Sequence, residues 1–300
     1  MKQVLALAAV VSIAGVALYY AQRSKRADAV SANAVVDVAA DWQRDLSRVP
    51  LRVTRISDSQ EQRIGDELAR LYAPAESAQG PEARATERYL NEVGERIAVH
   101  AKRKLPFHFH VIADANLINA FALPGGHVFV GQGLLDRTKS EDELAFVLGH
   151  EIEHIDHRHA VERVQVEAQL KKLNLDAVAA IAQIPMSLWQ IGYSKDEELE
   201  ADREGLRLAA AAGYSAKGAI NLLVRWTQLQ REYAIHAKSP TEEMSQLAID
   251  SLTGYFRTHP LTSARLGQAN EVIAHDHLAV DKSLKPFHVE YEITADDRKP

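Results

Sequence analysis

The chain contains no cysteine. Disulfides, thiol nucleophiles, thiolate metal sites and lipid attachment through cysteine are therefore excluded, and any bound metal must be held by histidine and carboxylates. An excess of basic residues is also missing: 35 Lys and Arg stand against 41 Asp and Glu, for a formal net charge of −6. That balance leaves no footprint for nucleic acid and describes a solvated acidic surface. No internal repeat is present, and long apolar runs are absent with one exception. Val4 to Ala21 is broken only by Ser12 and Gly15, with Lys2 before it and Arg23, Lys25 and Arg26 after it. As a helix it would span roughly 27 Å, close to the hydrocarbon thickness of a bilayer. Residues 1–26 therefore read as a membrane anchor or a signal peptide. Tyr19-Tyr20-Ala21 is a poor small-x-small cleavage site, which favours the anchor, whereas Ala32-Asn33-Ala34 would serve a signal peptidase. The basic cluster after the run favours keeping that side in the cytoplasm.

What is present describes an ordinary globular chain: 300 residues, 46% hydrophobic and 25% charged, enough for a substantial core. Residues 27–50, alanine-rich at first and without periodicity, read as a linker. Residues 51–280 read as one domain and 281–300 as a charged tail. Ser59 with Gln62 can cap a helix whose apolar face is Ile64, Leu68, Leu71 and Tyr72. A second helix turns Leu90, Val93 and Ile97 inward. Phe107–Ile112 alternates as a strand, with His108 and His110 on its solvent face. Leu117–Leu123 and His127–Val130 follow as strands around Pro124-Gly125-Gly126. From Val161 to Gln190 the pattern is helical, interrupted at Pro185, and Leu173, Val178, Ile181 and Ile184 read as core. Tyr193–Asp202 opens a helix that stops at Gly213, and Ala216–Gln230 supplies another with Ile220, Leu223 and Val224 inward. A loop at Ser239-Pro240 and one more helix carrying Arg265 come next, then an alternating piece over Phe287–Ile293. Three short strands among many helices predict an α+β fold, mainly helical with a small sheet.

One stretch carries chemistry. His150-Glu151-Ile152-Glu153-His154 is an H-E-x-x-H motif. With 13 His and 23 Glu in 300 residues, chance supplies such a motif about 0.04 times. Ser140 and Glu143 form a capping box, and Leu144, Val147 and Leu148 follow at helical spacing, so the motif lies about ten residues into a helix. Positions four apart share a helical face, so His150 and His154 can offer two imidazoles to one Zn2+ ion per chain. Glu151, one step round, reaches the ion's open position. A third ligand is required, and Glu197, Glu198 and Glu200 are candidates. Glu198 is the best placed, because Asp202 lies four residues on and could accept the second N–H of a zinc-bound imidazole. Spacing alone leaves the other two open. His157 and His159 follow on the same helix and suit supporting roles better than ligation.

The H-E-x-x-H helix, Glu198-x-x-x-Asp202, Thr258-His259-Pro260 and Asn119-Ala120-Phe121…Pro124-Gly125-Gly126 occur in one order. Together they resemble the zincin-like gluzincin family that includes HtpX, the CAAX prenyl endopeptidases, the mitochondrial OMA-type peptidase and the periplasmic BepA-like proteases, with the periplasmic members most similar. The resemblance covers Ser59 to Ala274. It implies zinc held by His150, His154 and Glu198, catalysis by Glu151, and substrate laid along the edge strand after Asn119. It also implies protein or peptide substrates, misfolded membrane or envelope proteins among them, and a place on the extracytoplasmic side of a bacterial envelope. Lys195 departs from the Arg common in the family, and no cysteine is available for a lipoprotein anchor. His259 precedes proline, which favours an extended loop, and the resemblance sets that loop beside the metal. There His259 is either a donor to the oxyanion, a role Tyr193 or Tyr255 could share, or a fourth ligand that latches the resting enzyme. A membrane-tethered chaperone or assembly factor with a zinc-stabilised fold is the alternative function.

Overall fold

The computed structural model describes residues 56–73, 80–171, 173–184, 192–236, 259, 263–280 and 283–287. Val4–Ala21, Pro185, Ser239-Pro240, Tyr255 and the stretch beyond Phe287 lie outside the described residues, as does the side chain of Val178. Among the described residues no helix is long and apolar enough to cross a membrane.

The fold is α+β. Helix α1 (Asp58–Tyr72) starts from Ser57, two residues before the expected cap: Ser57 accepts from the Gln60 N–H while the Gln60 side chain accepts from the Ser57 N–H. Both Ser57 and Ser59 head an S-x-x-Q pattern, and the earlier start adds a backbone bond from Glu61 to Ser57. It also carries Glu61 into the buried face, where Arg103 pairs with it. Ile64 and Leu68 are buried as the pattern predicts, but Leu71 in the last turn is exposed. On α2 (Pro81–Ala98), Leu90, Val93 and Ile97 are all buried. Three strands follow: β1 (His108–Ile112), β2 (Ala120–Leu123) and β3 (His127–Gly131). Their order is β1-β3-β2, with β3 parallel to β1 and antiparallel to β2. The tight β2–β3 connection needs positive φ at Gly125 (79°) and Gly126 (107°), a region glycine enters freely. β2 is shorter than the expected strand because Leu117 and Ile118 donate backbone N–H groups to Asp114 and Asn116 and stay in the turn. Through this arrangement β2 is an edge strand.

The solvent-face reading of β1 holds for His108, which is exposed, and fails for His110. His110 is half-buried, stacked on Phe129 at 4.5 Å, with its Nε2 3.0 Å from His127 Nδ1. The parallel register sets His110 opposite Phe129 and thereby brings it beside His127, a pairing invisible from one strand alone.

Helix α4 (Glu141–Asp156), after the short α3 (Gln132–Leu135), runs through the middle. It is buried on every side. The sheet, α2 and two later helices, Lys195–Ala211 and Lys217–His236, surround it, so its polar residues must find partners inside. Asp142 accepts from the Ser215 and Lys285 N–H groups, Asp156 from those of Lys102 and Arg103, and Glu143 from Arg225. The capping box at its start is half made: Ser140 accepts from the Glu143 N–H, while the Glu143 carboxylate turns to the Lys139 N–H. Residues 283–287 fold back on this end, where Lys285 O accepts from the Glu141 N–H.

Helix α5 (His159–Lys171) and the short α6 (Val178–Ile181) follow, and Ile181 and Ile184 join the core as expected, with Leu173 packed against it. Helix α7 (Lys195–Ala211) ends at Gly213, φ 89°. Helix α8 (Lys217–His236) buries Leu222, Leu223 and Trp226, with Ile220 and Val224 only half-buried. Helix α9 (Ser263–Asp276) carries Arg265 into the interior.

Candidate metal centre

The centre forms where α4 crosses α7. A Cβ on Gly149 would stand 2.5 Å from the Gly205 carbonyl oxygen, and one on Gly205 would stand 2.6 Å from the His150 nitrogen. Two glycines thus let the backbones touch. The close crossing sets His150 and His154, one turn apart on α4, against Glu198 and Asp202, one turn apart on α7. The same helix disposes of the rival carboxylates. Glu197 closes a capping box with Ser194, and Glu200 faces His157 and His159 instead.

Four donor groups meet at one point: His150, His154, Glu198 and His259, all buried. His150 Nε2 lies 3.1 Å from His154 Nε2 and 3.6 Å from a Glu198 oxygen, and His154 Nε2 lies 3.7 Å from the other. His259 Nδ1 is 3.0 Å from both His150 Nε2 and Glu198 Oε1. A tetrahedral zinc ion with bonds of about 2.0–2.1 Å demands donor separations near about 3.3 Å. The observed separations bracket that value. Charge agrees: three fully buried carboxylates, Glu151, Glu198 and Asp202, face one fully buried guanidinium, Arg265. A divalent cation would balance the remainder. These residues fit zinc.

Behind the donors stand the groups that orient them. Asp202 Oδ1 is 2.9 Å from His150 Nδ1, leaving Nε2 to face the centre. Arg265 grips Asp202 with two bonds, of 2.5 and 2.6 Å, and also reaches the His259 carbonyl oxygen and Glu198. Burial pushes the Asp202 carboxyl up, but the charge and hydrogen bonds of Arg265 outweigh it and hold it far below the usual range. On His154 the corresponding partner is His159, whose Nδ1 is 3.0 Å from His154 Nδ1. The two are not on one helix as the spacing suggested. α4 ends at Asp156, and Arg158 takes a left-handed turn (φ 66°) that swings His159 back over the centre. That turn costs about 1–2 kcal/mol for a residue with a side chain, and ion pairs from Arg158 to Asp58 and Glu61 hold it. Tyr193 stacks flat on His154, ring centroids 3.7 Å apart, with Arg163 over its other face. Sequence reasoning missed Arg265 and Arg163 in these roles. A buried Asp202 signals the need for a cation but does not say which.

Glu151 differs from every other carboxylate here. Neither oxygen makes a hydrogen bond, and both are buried. His259 Nε2 approaches to 3.3 Å without alignment. Burial raises the Glu151 pKa, against the charges of His259 and His150. Glu198 is just as buried, yet the charge and hydrogen bond of His259, with His150 and Arg265, keep it below its ordinary value. The two glutamates thus shift in opposite directions, Glu198 downward and Glu151 upward.

A family model described as peptidase family M48 matches residues 84–273. The chain belongs to peptidase family M48. The resemblance read from the motifs, to a family with OMA-type and assembly-protease members, is borne out. Among M48 relatives, the chain is 28% identical over 255 residues to a beta-barrel assembly-enhancing protease of Escherichia coli (strain K12), covering 78% of this chain and 48% of the relative. It is 28% identical to the protein of that name from Yersinia pestis, covering 60% and 37%. It is 36% identical over 153 residues to mitochondrial metalloendopeptidase OMA1 of Schizosaccharomyces pombe, covering 48% and 45%. The chain spans less than half the length of each of these relatives.

Proposed function

We propose that this chain is a zinc-dependent endopeptidase that cleaves proteins at or near a membrane, on the extracytoplasmic side of a bacterial envelope, in protein quality control. One observation carries the reading: His150, His154 and Glu198 converge at zinc-binding separations beside the buried, unbonded carboxylate of Glu151. The names of the M48 relatives add proteolysis, β-barrel assembly and the mitochondrion as settings. Zinc, when bound, polarises the scissile carbonyl and acidifies a water toward a pKa of about 7. Glu151 takes the proton of the attacking water and passes it to the leaving amine; its burial-raised pKa suits that exchange. Asp202, held by Arg265, fixes the His150 tautomer, and His159 does the same for His154. An extended substrate adds along the edge strand β2 once the groups that bury it move aside.

His259 acts as a latch in the resting state. Its Nδ1 stands with the donors, while its Nε2 approaches Glu151 and the Ala120 carbonyl oxygen on β2, at 3.4 Å. One ring thus covers the fourth position, the base and the substrate edge, and it must move before cleavage. The same closed arrangement favours, as second reading, an assembly factor with a zinc-stabilised fold and little proteolysis.

Casein degradation by the full chain, with and without a chelator, tests the proposal. Zinc-restorable cleavage is expected, and His259→Ala should accelerate it, roughly tenfold if about nine in ten molecules rest latched. A large loss in His259→Ala would return that residue to the oxyanion role. No cleavage by either protein would favour the assembly factor.

A further inference from the structure

A second cluster of metal-binding side chains lies on the far side of His154: His157, His159 and Glu200. His157 Nδ1 is 2.9 Å from Glu200 Oε2, and His159 Nε2 faces the same oxygen at 3.7 Å. His159 is buried, while His157 and Glu200 are partly exposed, so the cluster opens to solvent where water can complete a coordination shell. Two imidazoles and one carboxylate are the donor set of zinc and its first-row neighbours. His157 Nε2 lies 3.2 Å from Glu153 Oε2, near but not aligned for a hydrogen bond, so coordination at Nδ1 leaves the Nε2 proton facing a carboxylate.

We propose that His157, His159 and Glu200 form a second divalent-metal site whose occupation opposes that of the first centre. The antagonism follows from counting protons, and it rests on the reading of His154 as a zinc ligand. A neutral imidazole carries one proton. His154, bound through Nε2, carries its proton on Nδ1 and donates to His159 Nδ1. His159 must then hold its own proton on Nε2, pointing at Glu200. A metal on His159 Nε2 expels that proton. Either both Nδ1 atoms, 3.0 Å apart, now carry hydrogens that collide, or one ring becomes an anionic imidazolate. An ion at the first centre therefore weakens binding at the second by about 10- to 100-fold, and by linkage an ion at the second weakens the first by the same factor. Excess zinc then inhibits by disturbing the hydrogen bond that orients His154, with the first centre still filled.

Equilibrium dialysis of the full chain against zinc chloride, followed by metal analysis, should find two ions per chain with separated affinities. His157→Ala and, as a milder change, Glu200→Gln should remove only the weak ion. Casein cleavage by the unaltered protein should fall over the zinc range that fills the weak site, and His157→Ala should be spared. A single ion in the unaltered protein would mean that His157 is an imidazolium held between Glu153 and Glu200, and would overturn the proposal. Two ions persisting in both variants, or unchanged inhibition of His157→Ala, would overturn it as well. Retention of the tight ion by Glu198→Gln would instead count against the first centre, so the two failures are distinguishable.

Discussion

Two groups of histidines among the described residues behave in opposite ways. At the crossing of α4 and α7, the rings of His150, His154 and His259 point inward to a shared point with Glu198. On the sheet, His110, His127 and Asp66 form a line, each nitrogen passing to the next at 3.0 Å and the last oxygen half in solvent. A line can be satisfied by protons alone. Convergent lone pairs repel unless a proton or a cation sits among them. The contrast teaches that proximity of histidines is a weak sign of a metal site, and that convergence with buried, charge-fixed carboxylates is a strong one. Burial acts on both groups: it lowers the His110 pKa to about 4, helped by the charges of His127 and His108, and lowers that of His154 well below its ordinary value, helped by His150.

The comparison breaks most visibly at Glu151. Glu151→Gln should cut casein cleavage by about 10²- to 10⁴-fold, the usual worth of a general base, while zinc content is unchanged. Wild-type turnover, or loss of zinc, would remove Glu151 from the base role. The next largest effect belongs to Arg265. Its loss leaves Asp202 buried and unpaired, so Arg265→Met should destabilise the fold by about 3–5 kcal/mol in denaturant unfolding. A change below about 1 kcal/mol would mean that water or another cation already serves Asp202.

Orientation of His150 is subtler. Asp202→Asn preserves shape and removes charge, and should weaken zinc by about 10- to 100-fold as judged by competition with a chelator. Equal affinity would show that Asp202 only anchors Arg265. The smallest effect separates the linear group from the convergent one. His110 has an unfolded pKa of 6.5 and a folded value of about 4, so protons prefer the unfolded chain between those limits. Its stabilisation is complete above the higher value and is lost as pH falls toward the lower. From about pH 7.5 to about pH 5 the protein should lose on the order of 1–2 kcal/mol through this group. His110→Gln should flatten that slope without altering zinc content. An unchanged slope would place the titration elsewhere.

Much of the centre was legible in the chain itself. His150, Glu151 and His154 are separated by fixed helical geometry, which depends on nothing beyond the helix. Glu198 with Asp202 was favoured for the same reason, yet Glu197 and Glu200 could not be dismissed, since all three lie within one turn of α7. Local ambiguity also misplaced the cap of α1, where two overlapping S-x-x-Q patterns compete for one helix start.

By itself, then, the sequence determined the residues that sit one helical turn apart, the α+β class and the exclusion of thiolate ligands, because these follow from short-range periodicity and composition. Only the tertiary structure decided which carboxylate faces His150, because that depends on the Gly149–Gly205 contact between helices distant in the chain. It likewise decided that Glu200 turns away to His157, that β3 lies between its neighbours, and that Arg265 reaches Asp202 across 63 residues of sequence. Long-range contacts of this kind are selected by packing and by the cost of burying an unpaired charge, and neither quantity can be evaluated along a chain before its distant parts meet.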